Sequence, residues 1–133
     1  MDYLLIFVTL GIIFGIMDAI WLKLSNKLYR KELGSLLLGV PNFVAAILFY
    51  AIYVMGVTVL VIMPAVQADQ WQQALGAGAL LGLVAYATYD LTNLATLKKW
   101  SVKIVVIDLM WGVIATGLSS LLTFFVVTCW FGL

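Results

Sequence analysis

Tyr3-Leu-Leu-Ile-Phe-Val-Thr-Leu-Gly-Ile-Ile-Phe-Gly-Ile-Met-Asp-Ala-Ile-Trp-Leu22 decides how this chain is read. The stretch carries one charge, Asp18, and is as long as the ~20 residues an α-helix needs to cross ~30 Å of hydrocarbon. It lacks the short basic leader and small-residue cleavage site of a signal peptide, so it is expected to persist as a helix. The surrounding chain agrees, being 65% hydrophobic and only 10% charged, where soluble domains carry about 25% charged residues.

Working outward, three more apolar runs follow: Asn42–Val66, Ala74–Leu97 and Lys103–Phe131. With Tyr3–Leu24 they make four candidate spans, each forced to be helical because lipid offers no partners for backbone N–H and C=O groups. The last exceeds the bilayer thickness and is expected to tilt or protrude. The chain therefore reads as all-α, a single-domain integral membrane four-helix bundle over residues 1–133. Ser25 to Val40 is too short and too basic to span. It is expected to form a short interfacial helix between helices one and two, with an irregular loop as the alternative. Pro41 then opens the second span, where its missing N–H is not needed.

All seven basic residues lie in two places. Lys23, Lys27, Arg30 and Lys31 follow the first span, and Lys98, Lys99 and Lys103 join the third to the fourth. The connection Gln67 to Gln73 has Asp69 and no cation. The positive-inside rule then places both basic connections in the cytoplasm and both termini outside. Trp100 on the inner side, and Trp71 and Trp130 on the outer, suit interfacial anchoring.

Three carboxylates interrupt the apolar spans: Asp18, Asp90 and Asp108. One charge at membrane depth costs roughly 2.5–3.5 kcal/mol on insertion scales, so such residues normally have a partner or a task. At 1.5 Å per residue, Asp18 and Asp108 lie ~7 Å from Lys23 and Lys103, and Asp90 ~12 Å from Lys98. All three thus belong to the cytoplasmic half. On the third span Gly78, Gly82, Tyr86, Tyr89, Asp90, Asn93 and Thr96 share one stripe about 120° wide. Gly78 and Gly82 form a small-xxx-small pair for close helix approach. Gly11, Gly15, Asp18 and Trp21 align on the first span; Asp108, Trp111, Gly112, Ala115 and Ser119 align on the fourth. Asn42, Ala46, Tyr50 and Tyr53 give the second a polar-aromatic face. Both Asp18–Trp21 and Asp108–Trp111 have the spacing that sets an indole N–H beside its own helix's carboxylate.

These positions compose the candidate ligand site: Asp18, Trp21, Asn42, Tyr50, Tyr53, Tyr86, Tyr89, Asp90, Asn93, Asp108 and Trp111. Like charges at close range in low dielectric do not all ionise, so at least one aspartate is expected to hold a proton or a cation. Asp90 is expected to find Tyr86, Asn93 and Tyr50 as partners, and Lys23 and Lys103 to reach back toward Asp18 and Asp108. A plainer reading stays open, in which buried Asp, Asn and Tyr only hydrogen-bond the helices together. The sequence has no histidine and one cysteine. Imidazole chemistry and an internal disulfide are therefore excluded, Cys129 reads as a packing residue, and no cofactor is expected. The near-neutral net charge, with no basic run or stacking motif, argues against nucleic acid.

The run Tyr89-Asp-Leu-Thr-Asn-Leu-Ala-Thr-Leu-Lys98, preceded by Gly82-Leu-Val-Ala-Tyr-Ala-Thr88, resembles a bacterial membrane-protein family, domain of unknown function 2177. The likeness extends to Asp18-Ala-Ile-Trp-Leu22, Tyr29-Arg30, Pro41-Asn42, the Tyr50/Tyr53 pair and Asp108-Leu-Met-Trp-Gly112. It spans essentially the whole chain and implies the bacterial inner membrane as its setting. It supports the position of the site and implies nothing about its chemistry.

Three functions fit. The leading expectation is an intramembrane binding or transport protein whose cytoplasm-facing polar site takes a proton, a cation or a small amphipathic ligand. Four helices are few for a full translocation path, so transport would call for a homodimer. The second is a small membrane enzyme using carboxylate acid/base chemistry on a lipid-like substrate, with Asp90 as the best catalytic candidate. The third is an assembly subunit whose polar face meets another protein. Membrane lipids are partners in all three.

Overall fold

The computed structural model describes residues 2–37 and 41–133. Among them, four helices are long and apolar enough to cross a membrane. We label them α1 (Asp2–Leu33), α2 (Phe43–Ala68), α3 (Trp71–Thr96) and α4 (Val102–Trp130). No described residue lies in a strand. The tight α2–α3 and α3–α4 turns set neighbouring helices antiparallel. The C-terminal parts of α1 and α3 thus share one end of the bundle with the starts of α2 and α4.

A separate interfacial helix is not confirmed. Ser25 to Leu33 simply prolongs α1, because no proline or glycine interrupts Leu22 to Leu33 and Ser25 Oγ bonds back to the Trp21 carbonyl at 2.7 Å. The helix ends at Gly34, where a single 3-10 turn, Gly34–Leu36, takes over. Residues 38–40 of the expected interfacial segment lie outside the described residues.

Each later helix starts or bends for a local reason. Asn42 caps α2, its side-chain oxygen accepting from Ala45 N–H at 3.2 Å, the usual remedy for unpaired N–H groups in a first turn. Within α2, Thr58–Ile62 forms a π turn, the Met63 N–H reaching the Thr58 carbonyl. Pro64 accounts for it: the ring lacks an N–H and would clash with the Leu60 carbonyl in a regular ladder. Asp69 closes α2 in the left-handed region at φ 52°, which short polar residues tolerate. Ser101 caps α4 by accepting from Ile104 N–H at 3.2 Å, and its hydroxyl donates to Glu32 Oε2 at 3.2 Å. Lys103 adds an ion pair to Glu32 at 4.0 Å. The prolonged α1 is thereby fastened to the α3–α4 turn.

Packing is uneven along the bundle. The apolar core gathers Ile6, Leu10 and Phe14 of α1 with Val54, Val57, Val61, Ile62 and Met63 of α2, and Ala115 and Val127 of α4. It lies toward the end that holds the chain termini. The closest pair is α3 with α4. A methyl group on Gly78 would come within 2.9 Å of the Thr116 carbonyl, and one on Gly112 would meet the Tyr86 ring at 2.5 Å. Two backbones at this range gain dispersion along the whole seam, the contact that small-xxx-small spacing permits. By contrast, Phe43 to Phe49 of α2 are exposed on every side. That half of α2 stands off from its neighbours and leaves a gap beside α3 and α4.

Candidate functional site

The gap ends in a cavity of about 320 Å³ lined by Phe49, Ala85, Tyr86, Tyr89 and Asp108. Three helices supply its walls: α2 gives Phe49, α3 the alanine and both tyrosines, and α4 the carboxylate. Phe49 and Tyr89 are each more than half exposed, so they form the rim, while half-buried Tyr86 and Asp108 form the floor. The lining is almost wholly apolar apart from Asp108 and the tyrosine hydroxyls.

Behind the floor lies Asp90, only 1% exposed. It faces Asp108 across the α3–α4 seam, where Gly82 meets Gly112 and Gly112 meets Tyr86, and its Oδ2 has no hydrogen-bond partner. Asp108 takes a bond on Oδ1 from the Tyr29 hydroxyl at 2.6 Å. This differs from the partners expected from sequence, since the α3 face aims Asp90 at α4 instead of at Tyr50. The lysines stay away as well: Lys103 turns to Glu32. Among the described residues, no Lys or Arg forms an ion pair with any of the three aspartates.

The indoles also pair across helices. Trp21 and Trp111 stack at 4.7 Å between centroids and 7° between planes, instead of each attending its own helix's carboxylate. The Trp111 Nε1–H is buried without a hydrogen-bond partner. Antiparallel neighbours bring the two rings together, because the Asp-x-x-Trp steps of α1 and α4 face one another with reversed direction. Asp18 remains half-buried within electrostatic range of Asp108. A second, smaller depression of about 190 Å³ adjoins this stack, lined by Trp21, Ile107, Met110, Trp111 and Ile114.

The α2 tyrosines sit at the boundary between site and core. Tyr50 donates to the Gly11 carbonyl at 2.6 Å, and Tyr53 shares a 2.6 Å bond with Thr116 Oγ1. Tyr53 also stacks on Phe49 at 5.5 Å and meets the Tyr86 ring edge-on at 6.5 Å. Asn42 lies apart: it is exposed and occupied by capping. Asn93 is half-buried next to Tyr89. Asp18, Trp21, Tyr50, Tyr53, Tyr86, Tyr89, Asp90, Asn93, Asp108 and Trp111 thus lie toward one end of the bundle, and Asn42, at that same end, is exposed and taken up by its cap.

Tyr29 and Phe49 were not among the candidates from sequence. The signal for Tyr29 lay in α1 itself. Seven and four residues on from Asp18, its own helix face reaches Ser25 and then Tyr29, provided the helix continues that far. Phe49 has no polar character to mark it. Among the described residues, no three Asp, Glu, Cys or His side chains converge closely enough to hold a metal ion.

Four long apolar helices, with exposed hydrophobic side chains over most of their outer faces, define a multi-pass membrane protein in contact with lipid. Residues 3–125 match the family model DUF2177, described as a predicted membrane protein, and the chain belongs to that family. No curated protein and no solved structure matches it.

Proposed function

We propose that this protein binds an amphipathic cation in the cavity between α2, α3 and α4, the ligand entering from the lipid side. One observation carries the reading: a cavity of about 320 Å³ walled by the Phe49, Tyr86 and Tyr89 rings with a single carboxylate, Asp108, in its floor. Aromatic faces attract organic cations by ~0.5–2 kcal/mol each, more when water is excluded. A carboxylate supplies the opposite charge, and apolar walls accommodate the rest of the molecule. The standing-off half of α2 supports entry from lipid. The basic connections support a cytoplasmic position for this end, with both termini outside and the bacterial inner membrane as the setting.

The test is binding of tetraphenylphosphonium, a permanent amphipathic cation, to the protein in dodecylmaltoside micelles by equilibrium dialysis. Saturable binding is expected, weakened at least tenfold in Asp108→Asn. Retention no greater than that of protein-free micelles would reject the reading.

The lateral opening also favours a second reading, an enzyme acting on a lipid-like substrate. Asp108 would then be the group that meets substrate and Asp90 the acid or base behind it. Consumption of a membrane lipid by the reconstituted protein, lost in Asp90→Asn, would select this reading over simple binding.

A further inference from the structure

The arrangement behind the cavity says what must leave when a cation arrives. On the antiparallel α3–α4 seam Gly78 meets Thr116, Gly82 meets Gly112 and Tyr86 meets Gly112, a register that sets Asp90 opposite Asp108, and two carboxyls facing one another in low dielectric are held together only by a proton between them. Asp90 is buried at 1% exposure with Oδ2 unpartnered. No N–H or O–H donor reaches that oxygen to sustain a second negative charge, and two bare carboxylates so close in low dielectric repel strongly. Asp108 belongs at once to this pair and to the cavity floor. It is the one group through which an occupant of the cavity and a proton of the pair would compete.

We propose that the Asp90–Asp108 pair makes the cavity an exchange site, in which binding a cation releases one proton. The inference rests on the cation-binding reading above and adds its stoichiometry. The balance is simple: the proton shared by the two carboxyls leaves to solvent, the ligand's positive charge settles against Asp108, and the net charge of the site is unchanged. No bond within the ligand is made or broken.

The groups facing the pair are consistent with this. From α1 come Tyr29, which donates to Asp108, and Asp18, whose carboxylate adds like charge. From α2 comes the Tyr53 ring, set against Tyr86. From α3 come Tyr86 and Tyr89 beside Asp90. None carries a positive charge, so the neutralising charge is a proton or the ligand. Affinity then falls as pH falls, by up to about tenfold per unit where one proton is exchanged.

Tetraphenylphosphonium has no titratable proton, so any proton released during its binding comes from the protein. The titration is run on the micellar protein in weak buffer with a pH-indicating dye, and the dissociation constant is followed across several pH units. About one proton per bound cation is expected, with affinity rising toward alkaline pH. Asp90→Asn places an amide donor against Asp108, and both proton release and the pH slope should vanish. Asp69→Asn, in the distant α2–α3 turn, should behave as wild type. Saturable binding without proton release, or with a flat pH profile, overturns the exchange and leaves the binding reading standing. Absence of saturable binding overturns both. Intrinsic tryptophan fluorescence on heating reports whether the Asp90→Asn variant is folded, and the wild-type proton count decides the matter if it is not.

Discussion

Gly82→Ala and Gly76→Ala make the same chemical change on the same helix, and the structure assigns them opposite outcomes. A methyl group on Gly82 would meet the Gly112 carbonyl of α4 and come within 2.9 Å of Thr116 Cβ, whereas one on Gly76 meets nothing within 4 Å. The obstacle at Gly82 is largely backbone, so no rotamer change relieves it. Ordinary van der Waals contact begins near 3.4 Å, so α3 and α4 must part by roughly half an ångström or more. A gap of 0.5–1 Å forfeits about a quarter to a half of each atom pair's dispersion well, and this is the most closely packed seam in the molecule. Overpacking of this kind costs about 1–3 kcal/mol, against which alanine returns up to about 1 kcal/mol of helix preference. We expect Gly82→Ala to lose about 1–2 kcal/mol net and Gly76→Ala to be neutral or up to about 1 kcal/mol more stable. Equilibrium unfolding in mixed dodecylmaltoside and dodecyl sulfate micelles, followed by tryptophan fluorescence, measures both. Equal stability of the two variants would refute the close-approach argument for the α3–α4 seam.

Tyr53→Phe removes the partner of the fully buried Thr116 hydroxyl and should cost about 1 kcal/mol in the same assay, most of it recovered in Tyr53→Phe/Thr116→Val. Tyr29→Phe deletes the donor to Asp108 and should destabilise by about 1–3 kcal/mol, the cost of leaving a buried acceptor without its donor; no change would mean that Asp108 does not depend on that hydroxyl. Ser101→Ala strips the α4 cap and should cost about 1 kcal/mol, Ser101→Thr much less. Glu32→Gln should shift stability by under about 0.5 kcal/mol, because its 4.0 Å pair with a mostly exposed Lys103 is screened and glutamine still accepts from Ser101.

The four apolar helices were legible because hydropathy over 20 residues leaves few alternatives in lipid. The stop of α1 was not. Lys27, Arg30 and Lys31 suggest an interface, yet charge alone does not break a helix, and the actual punctuation is Gly34. Reading α1 as ending near Leu24 is what hid Tyr29, the donor that Asp108 uses. Periodicity grouped Asp108 with Trp111 on one helix face, but it is silent on which neighbouring helix each of them meets: Asp108 lines the cavity with Tyr86 and Tyr89, and Trp111 stacks on Trp21. The Trp21–Trp111 stack and the Asp90–Asp108 approach are relations between antiparallel helices, fixed by packing. Asn42 shows the converse error: spacing grouped it with Tyr50 on one helix face, yet it stands just before the helix in extended conformation and caps it. Pro64 was the visible sign of the π turn, though proline alone does not say whether a helix will kink, end or widen.

That widened turn has a rotational consequence. Each residue advances a helix by about 100°, so the surplus residue in Thr58–Ile62 acts as a phase shifter between two halves of α2. The later half keys into the apolar core through Val61, Ile62 and Met63, and the earlier half points Tyr50 at Gly11 and Tyr53 at Thr116. Both alignments hold together only at this offset. Excising one residue there would spin the tyrosine-bearing half away from both of its acceptors, although neither Tyr50 nor Tyr53 had been altered.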